Sequence, residues 1–169
     1  MLDAGHYYPP DFLVELCSHL SYFKQNTFHL HLSDNVVTVY DQDYGSAETL
    51  YSAFRLNSND SELDGSDRRA NESHTYDVFE NVQQKCASRG VTIDLRIESP
   101  GHALVITQGK PELALTTDYT LLNISVHETI PTVQSIWRAV LPWMHSKVVG
   151  IGADEYNATF VGAPVMVER

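Results

Sequence analysis

The chain has 169 residues, the length of one domain, and its 22 acidic side chains outnumber the 11 basic ones, which gives a net charge of -11. Because no cluster of lysine and arginine is present to neutralise several phosphates, we expect no nucleic acid partner. The sequence contains no run of about 18 apolar residues, and its N-terminus lacks the basic-then-apolar pattern of a leader. We therefore expect no membrane span and no signal peptide in this chain.

The first part of the chain predicts a strand, a helix and a second strand. Residues 1–4 form a short predicted strand, and the proline pair at 9–10 suits the first turn of a helix that extends to about Asn26. The sequence TFHLHL, residues 27–32, alternates as a strand does. The polar stretch from Asn35 to Asn71 then predicts a long loop, and loops of that length in compact domains usually have a function or lack order.

A second helix and a third strand follow. The helix is predicted from about Thr75 to Arg89, with Gly90 as its C-terminal cap. The strand VTIDLRIES, residues 91–99, alternates cleanly. Its apolar face carries Ile93, Leu95 and Ile97, and its polar face carries Asp94, Arg96 and Glu98.

A third helix and a fourth strand complete the predicted elements. Apolar residues from Ile130 to Met144 recur at helical spacing, with Pro131 in the first turn and Pro142 where the helix should kink or end. Trp137 and Trp143 lie on this helix, where packing in the core is expected. The fourth strand is KVVGIGA, residues 147–153.

The order of strands and helices predicts an α/β fold with parallel strands and crossover helices. A doubly wound sheet would need a glycine-rich phosphate turn after an early strand, and none is present. A barrel places its chemistry at the carboxyl ends of its strands. The candidate residues all fall there: Asp3, Asp34, Glu98, His102, Asp154 and Glu155.

The cysteines and the glycosylation motifs give weaker indications of function. Cys17 and Cys86 fall on apolar helical faces, so we expect two buried free thiols. Four N-x-S/T motifs are weak support for a secreted glycoprotein. They begin at Asn59, Asn71, Asn123 and Asn157.

The adjacent acids Asp154 and Glu155 are the strongest chemical signal. Glycoside hydrolysis uses paired carboxylates, but two acids that act separately normally face each other across the sugar. A sequence-adjacent pair fits better when the 2-acetamido oxygen of the substrate attacks the anomeric carbon and one acid donates a proton while the other holds the acetamido nitrogen. The alternative is an exposed acidic loop end without a catalytic role.

His29 and His31 offer a second chemistry. An H-x-H pair on a strand places both imidazoles on one side, as in a zinc site, and with Asp154 it would make a metal-dependent hydrolase. The alternative is that both histidines are hydrogen-bonded residues of the barrel interior. His102, presented by the turn SPGH, has Glu98 and Asp34 as potential partners or else a structural role.

Several segments resemble the catalytic domain of glycoside hydrolase family 20, the β-N-acetylhexosaminidases, and most of all its fungal members. The motifs HLHLSD, PGHA and GADEY in that order carry the resemblance, which extends over nearly the whole chain. It implies a (β/α)8 barrel that removes terminal β-linked N-acetylglucosamine or N-acetylgalactosamine from oligosaccharides or glycans. It also implies a secreted, vacuolar or lysosome-like location and neither metal nor cofactor.

The resemblance assigns roles by position. Glu155 matches the general acid and Asp154 the residue that orients the 2-acetamido group. Asp34 and His102 match residues that connect to the acid, and Glu98 matches a carboxylate that supports Asp154. If the resemblance holds, His29 and His31 line the floor of the site or serve in packing.

Three departures from the family pattern lead to further expectations. The sugar-binding arginine expected between Gly5 and His6 is absent, and Arg96 stands where relatives carry glutamate, so it should pair with Glu98. A complete barrel takes about 250 residues, so we expect residues 1–169 to form the first half of one. We expect that half alone to have little or no activity and to self-associate through uncovered edges. A degenerate, non-catalytic sugar-binding protein is the alternative.

Overall fold

The computed structural model describes residues 1–3, 5–35, 49–58, 69–153 and 156, except for the side chains of 34 and 35. The strands are β1 Thr27–Asn35, β2 Ser52–Phe54, β3 Leu56–Asn57, β4 His74–Thr75, β5 Thr92–Ile97, β6 Ala114–Leu115, β7 Asp118–Leu122 and β8 Val149–Gly150. The α-helices are α1 Pro10–Tyr22, α2 Tyr76–Ala87, α3 Leu104–Gly109 and α4 Thr129–Val140. None of these described helices is long and apolar enough to cross a membrane.

Within the described residues, the main sheet has four strands in the order β2-β1-β5-β8. Strands β1, β5 and β8 run parallel, and Leu2 adds a parallel bridge to Leu30 on the other side of β1. Only β2 is antiparallel to its neighbour, and it pairs with the last three residues of β1. Parallel strands joined by helical crossovers confirm the predicted α/β class and the topology of part of a TIM barrel.

The two faces of the sheet differ sharply, as the alternation in β1 and β5 predicts. One face carries Phe28, Leu30 and Leu32 of β1 with Ile93, Leu95 and Ile97 of β5, and all six are buried. The opposite face carries the polar side chains of both strands, with His29 beside Asp94 and His31 beside Arg96 in the register. In a barrel this polar face is the interior, so the fold presents histidine and charged groups to the barrel axis.

Helices α1 and α2 cover the apolar face. Leu13 of α1 and Phe79 and Val82 of α2 are at most 1% exposed and pack in the same core as the strands. In α2, the Gln83 side chain donates to the carbonyl of Trp143 (2.7 Å) and accepts from the backbone of His145 (3.1 Å). Helix α2 is thereby tied to the segment that leads into β8.

Cys17 and Cys86 form a disulfide between α1 and α2, with Cα atoms 5.4 Å apart, so the prediction of two free thiols is wrong. Both residues are fully buried, as that prediction assumed. Adjacent packing of α1 and α2 on one sheet face brings the thiols together, and neither helix reveals this by itself.

Several predicted boundaries change. Helix α1 ends at Tyr22 rather than near Asn26, because Lys24 adopts a left-handed backbone with φ of 58°. The predicted loop from Asn35 to Asn71 contains β2 and β3, and the connection after β5 contains α3 and the β6–β7 hairpin. These elements are only two to six residues long, too short for periodicity to reveal.

The two predictions that depend on proline in the last helix are confirmed. Pro131 lies in the first turn of α4, which ends at Val140 before a 3-10 turn, Leu141–Trp143, that contains Pro142. Trp137 and Trp143 are partly buried and pack against the core. Neither indole is therefore displayed as a free stacking surface.

Candidate active site

The parallel strands gather their carboxyl ends at one edge of the sheet. Asp3 follows the Leu2 bridge, the backbone of Asp34 lies near the end of β1, and Glu98 directly follows β5. The pair Asp154 and Glu155 lies outside the described residues, and so does the side chain of Asp34. Among the described candidates, Asp3, Glu98 and His102 therefore all follow strand ends at this edge.

Glu98 is the most enclosed of these carboxylates, at 2% exposure. Arg96 Nε donates to its Oε1 and Arg96 Nη2 lies 3.3 Å from its Oε2, so the predicted Arg96–Glu98 pair is confirmed. His31 Nδ1 lies 3.4 Å from Oε1 on the same interior face. The backbone N–H of Glu98 donates to Ser33 Oγ (3.2 Å), which fixes the base of the side chain to β1.

Gly152 packs directly against the Glu98 carboxylate. A Cβ added at Gly152 would lie 1.7 Å from Glu98 Oε2, and the residue has a left-handed φ of 64°. Only glycine fits such a close approach in this conformation. The chain that leads to Asp154 therefore passes over Glu98 in contact with it, held as well by the bond from the backbone N–H of Ser99 to the carbonyl of Ile151 (3.2 Å).

His29 and His31 both face acidic partners. His29 Nδ1 lies 2.9 Å from Asp94 Oδ2, and the two imidazole rings meet edge to face with centroids 5.5 Å apart. Across the described ranges, no group of three or more histidine, cysteine, aspartate or glutamate residues is arranged to hold a metal ion. His29 is therefore hydrogen-bonded on the interior face, and His31 lies within ion-pair distance of Glu98 there. Asp154, the third ligand of the predicted metal site, lies outside the described residues.

His102 lies in the turn between β5 and α3. Its backbone is left-handed, with φ of 49°, and its side chain is half-buried. A non-glycine residue rarely adopts this conformation, so the surrounding turn determines where the imidazole sits. The adjacent Gly101 is buried and the backbone of Ala103 donates to Thr120 in β7 (2.7 Å), which anchors the turn.

Asp3, directly after the Leu2 bridge, accepts three hydrogen bonds. The donors are the backbone of Gly5 (2.8 Å), Tyr8 Oη (3.1 Å) and the His6 ring (3.4 Å). Partial burial raises the pKa of Asp3, but these hydrogen bonds outweigh it and the pKa is lowered overall. Burial and the same carboxylate raise the pKa of Tyr8. Asp3 is therefore engaged by the segment that contains Gly5 and His6, between which the resemblance would place an arginine.

A buried polar network next to Asp3 escaped the sequence reasoning. Arg55 is 4% exposed, and it donates to the Glu72 carbonyl (3.0 Å) and to Tyr51 Oη (2.9 Å). Tyr51 Oη in turn donates to Glu72 Oε2, and Arg69 lies 4.2 Å from the centre of the Tyr51 ring. The only sequence signal for it is the short run YSAFRL, which lies inside a polar stretch that predicts a loop.

The buried residue His74 has a strongly shifted pKa. Burial first and the neighbouring Arg55 second lower its pKa from 6.5 to about 4. Its ring lies against Tyr7, with centroids 5.3 Å apart. Together with Asp3, His31 and Arg55 it lines a small cavity beside β1.

The family model described as "Glycosyl hydrolase family 20, catalytic domain" matches residues 1–164. A curated relative, the beta-hexosaminidase of Vibrio furnissii, is 25% identical over 182 aligned residues, which cover 97% of this chain. The chain spans 30% of the length of that relative.

Solved structures give the same fold. The GH20 exo-beta-N-acetylglucosaminidase of Vibrio harveyi, crystallised with N-acetylglucosamine, matches 95% of this chain and 28% of its own, with 18% identity and a TM-score of 0.72. The Flavobacterium johnsoniae chitobiase matches 95% of this chain and 24% of its own, with 21% identity and a TM-score of 0.75. At these identities the structural likeness establishes the fold.

Proposed function

The chain belongs to the catalytic-domain family of glycosyl hydrolase family 20, and from that premise we propose that residues 1–169 form part of a β-N-acetylhexosaminidase domain. The proposed reaction is hydrolysis of terminal β-linked N-acetylglucosamine or N-acetylgalactosamine in oligosaccharides or glycans. The observation that carries the proposal is the contact with Glu98 of Gly152, which lies two residues before the acid pair. The Vibrio harveyi relative, crystallised with N-acetylglucosamine, supports the substrate class.

The proposed roles follow the substrate-assisted route. Glu155 protonates the leaving glycosidic oxygen, while Asp154 orients the 2-acetamido group whose oxygen attacks the anomeric carbon. Water then opens the cyclic intermediate, with Glu155 acting as base. Because the oxygen nucleophile belongs to the substrate, the protein needs only one proton-transfer group and one anchor, which two adjacent carboxylates can supply.

The supporting roles belong to residues at the same edge. Glu98 contacts Gly152, two residues before Asp154, and the proposed role of Glu98 is to support Asp154 through this contact. In the proposed roles, Asp34 and His102 interact with Glu155 and orient its carboxyl group to donate its proton. Their places at the ends of β1 and β5 are compatible with those roles.

Turnover of a chromogenic β-N-acetylglucosaminide tests the proposal. We expect weak turnover from the purified chain and its loss in Glu155→Gln, because an amide cannot donate the proton. Glu112→Gln, at an exposed acid on a surface turn, is the matched control and should behave as the unchanged chain. Turnover that survives Glu155→Gln would contradict the assignment of the acid.

A non-catalytic sugar-binding protein is the second candidate. The Arg96–Glu98 pair favours it, because a carboxylate that is paired with a guanidinium is less available to support Asp154. This candidate predicts that calorimetry detects N-acetylglucosamine binding by a chain that hydrolyses nothing. Hydrolysis abolished by Glu155→Gln would exclude it.

We also propose a secreted or vacuolar location. A buried disulfide forms and persists in oxidising compartments and is rare in the cytosol, so the Cys17–Cys86 bond supports passage through such a compartment. Fractionation of the native source would test this, and a purely cytosolic pool would contradict it.

Self-association is the proposed state of the isolated chain. Within the described residues, β8 is an edge of the main sheet, and Val148 and Ile151 beside it are more than half exposed. Open parallel edges with apolar neighbours favour pairing with another copy. Sedimentation should show a concentration-dependent mass, and a monomer at all concentrations would contradict this.

A further inference from the structure

Two of the glycosylation motifs lie among the described residues, and the structure treats them differently. Asn71 is exposed on a 3-10 turn, Ala70–Glu72, whereas Asn123 is half-buried before α4. The other two motifs lie outside the described residues. The fold therefore permits a direct comparison of Asn71 with Asn123.

The turn that carries Asn71 is held firmly from its inner side. Glu72 faces inward to Tyr51, Arg55 and Arg69. Ser73 Oγ donates to the carbonyl of Phe54 and lies 3.2 Å from that of Arg69. Both neighbours face inward, whereas Asn71 is exposed, and its side-chain amide has no hydrogen-bond partner in the part of the chain that the structure describes.

Asn123 is engaged by its surroundings. Its Oδ1 accepts the backbone N–H of Ser125 (3.0 Å), its own N–H donates to Leu113 (2.7 Å), and its carbonyl accepts Thr129 Oγ1 (2.7 Å). These contacts fix the start of α4. A glycan on the Asn123 side chain would have to fit beside this packed turn.

We propose that Asn71 is an N-glycosylation site of this protein and that Asn123 is occupied to a minor extent at most. In the modification, Asn71 Nδ2 bonds to the anomeric carbon of a lipid-diphosphate-linked oligosaccharide. The bond from that carbon to the diphosphate breaks, and one amide proton is lost. The motif Asn71-Glu72-Ser73 supplies the acceptor, and the buried Cys17–Cys86 disulfide independently indicates the oxidising compartment in which such donors are used.

Import of the chain, preceded by a secretory leader, into microsomes tests the site without any requirement for hydrolase activity. Peptide-N-glycosidase in heavy-oxygen water marks each occupied asparagine for mass spectrometry. We expect the mark at Asn71 in most protease-protected chains, its loss in Asn71→Gln, and its retention in Ser73→Thr, which preserves the motif. Asn123→Gln should leave the glycan count nearly unchanged.

Formation of the disulfide in the same preparation shows that the chain entered the oxidising lumen and folded. Disulfide-bonded, protected chains without a glycan at Asn71 would overturn the proposal, and so would higher occupancy at Asn123 than at Asn71. Failure of the hydrolase assay would leave this result unaffected.

Discussion

At the scale of single residues, the polar face of β5 is where the sequence was most informative. Strict alternation placed Arg96 and Glu98 on one face, and the structure confirms their pair. The partners from β1 could not be predicted, because which histidine meets which charged residue depends on the register between strands, as with His29 and Asp94. The contact between Gly152 and Glu98 could not be predicted from the sequence either, since it depends on where β8 ends.

Loss of the Arg96 guanidinium should destabilise the fold. In Arg96→Gln the buried Glu98 carboxylate loses its charged partner, and we expect a cost of about 3 kcal/mol in the free energy of unfolding. Urea unfolding measures it, with Arg138→Gln at an exposed position of α4 as control. A double variant, Arg96→Met with Glu98→Leu, should recover part of the loss. Equal stability of Arg96→Gln and the unchanged chain would contradict this account of the pair.

Three glycine-to-alanine variants separate contact from backbone strain. Gly152→Ala combines a left-handed backbone with a clash at Glu98 and should cost more than about 3 kcal/mol. Gly90→Ala has a φ of 74° with open space around it, so strain alone should cost roughly 1–2 kcal/mol. At Gly101 the nearest atom, Leu121 Cδ2, is 3.8 Å away, and little change is expected. A larger loss of stability in Gly90→Ala than in Gly152→Ala, measured by thermal unfolding, would refute the close contact.

At the scale of elements, helices and long strands were predictable and the short elements were not. Periodicity located α1, α2 and α4 to within a few residues, and proline and glycine marked most of their ends. Strands β2, β3 and β4 have two or three residues each, and tertiary pairing rather than local pattern creates them. The disulfide was missed for the same reason, since it depends on the packing of α1 against α2.

The β3–β4 region should make stability depend on pH through His74. Its pKa is about 4 in the folded chain and 6.5 in the unfolded one, so the unfolded chain binds the additional proton between these values. Stability is therefore complete above about pH 6.5 and falls as the pH drops towards 4, by about 3 kcal/mol.

Chemical unfolding at several pH values measures this dependence. His74→Phe should flatten it, whereas His127→Gln, at a side chain that is 93% exposed, should leave it unchanged. A pH dependence that is the same in His74→Phe as in the unchanged chain would show that another group is responsible.

At the scale of the whole molecule, the parallel order of strands predicts that the candidate residues share one edge of the sheet, and the described candidates Asp3, Glu98 and His102 follow strand ends there. The sequence predicted this because the strands alternate with helices, and parallel strands share their carboxyl ends. The arrangement around the acid pair itself remains a proposal that rests on family membership and on the Glu98–Gly152 contact.

Binding of a thiazoline analogue of the cyclic sugar intermediate tests the central claim most directly, because it requires neither turnover nor the proton donor. An enzyme site binds such analogues more tightly than substrate. By calorimetry we expect the analogue to bind more tightly than N-acetylglucosamine. The substitution Asp154→Asn should weaken binding of the analogue at least roughly tenfold, about 1.4 kcal/mol. Glu112→Gln should bind as the unchanged chain does. No binding of the analogue, or equal binding by Asp154→Asn, would contradict an N-acetylhexosamine site at this edge.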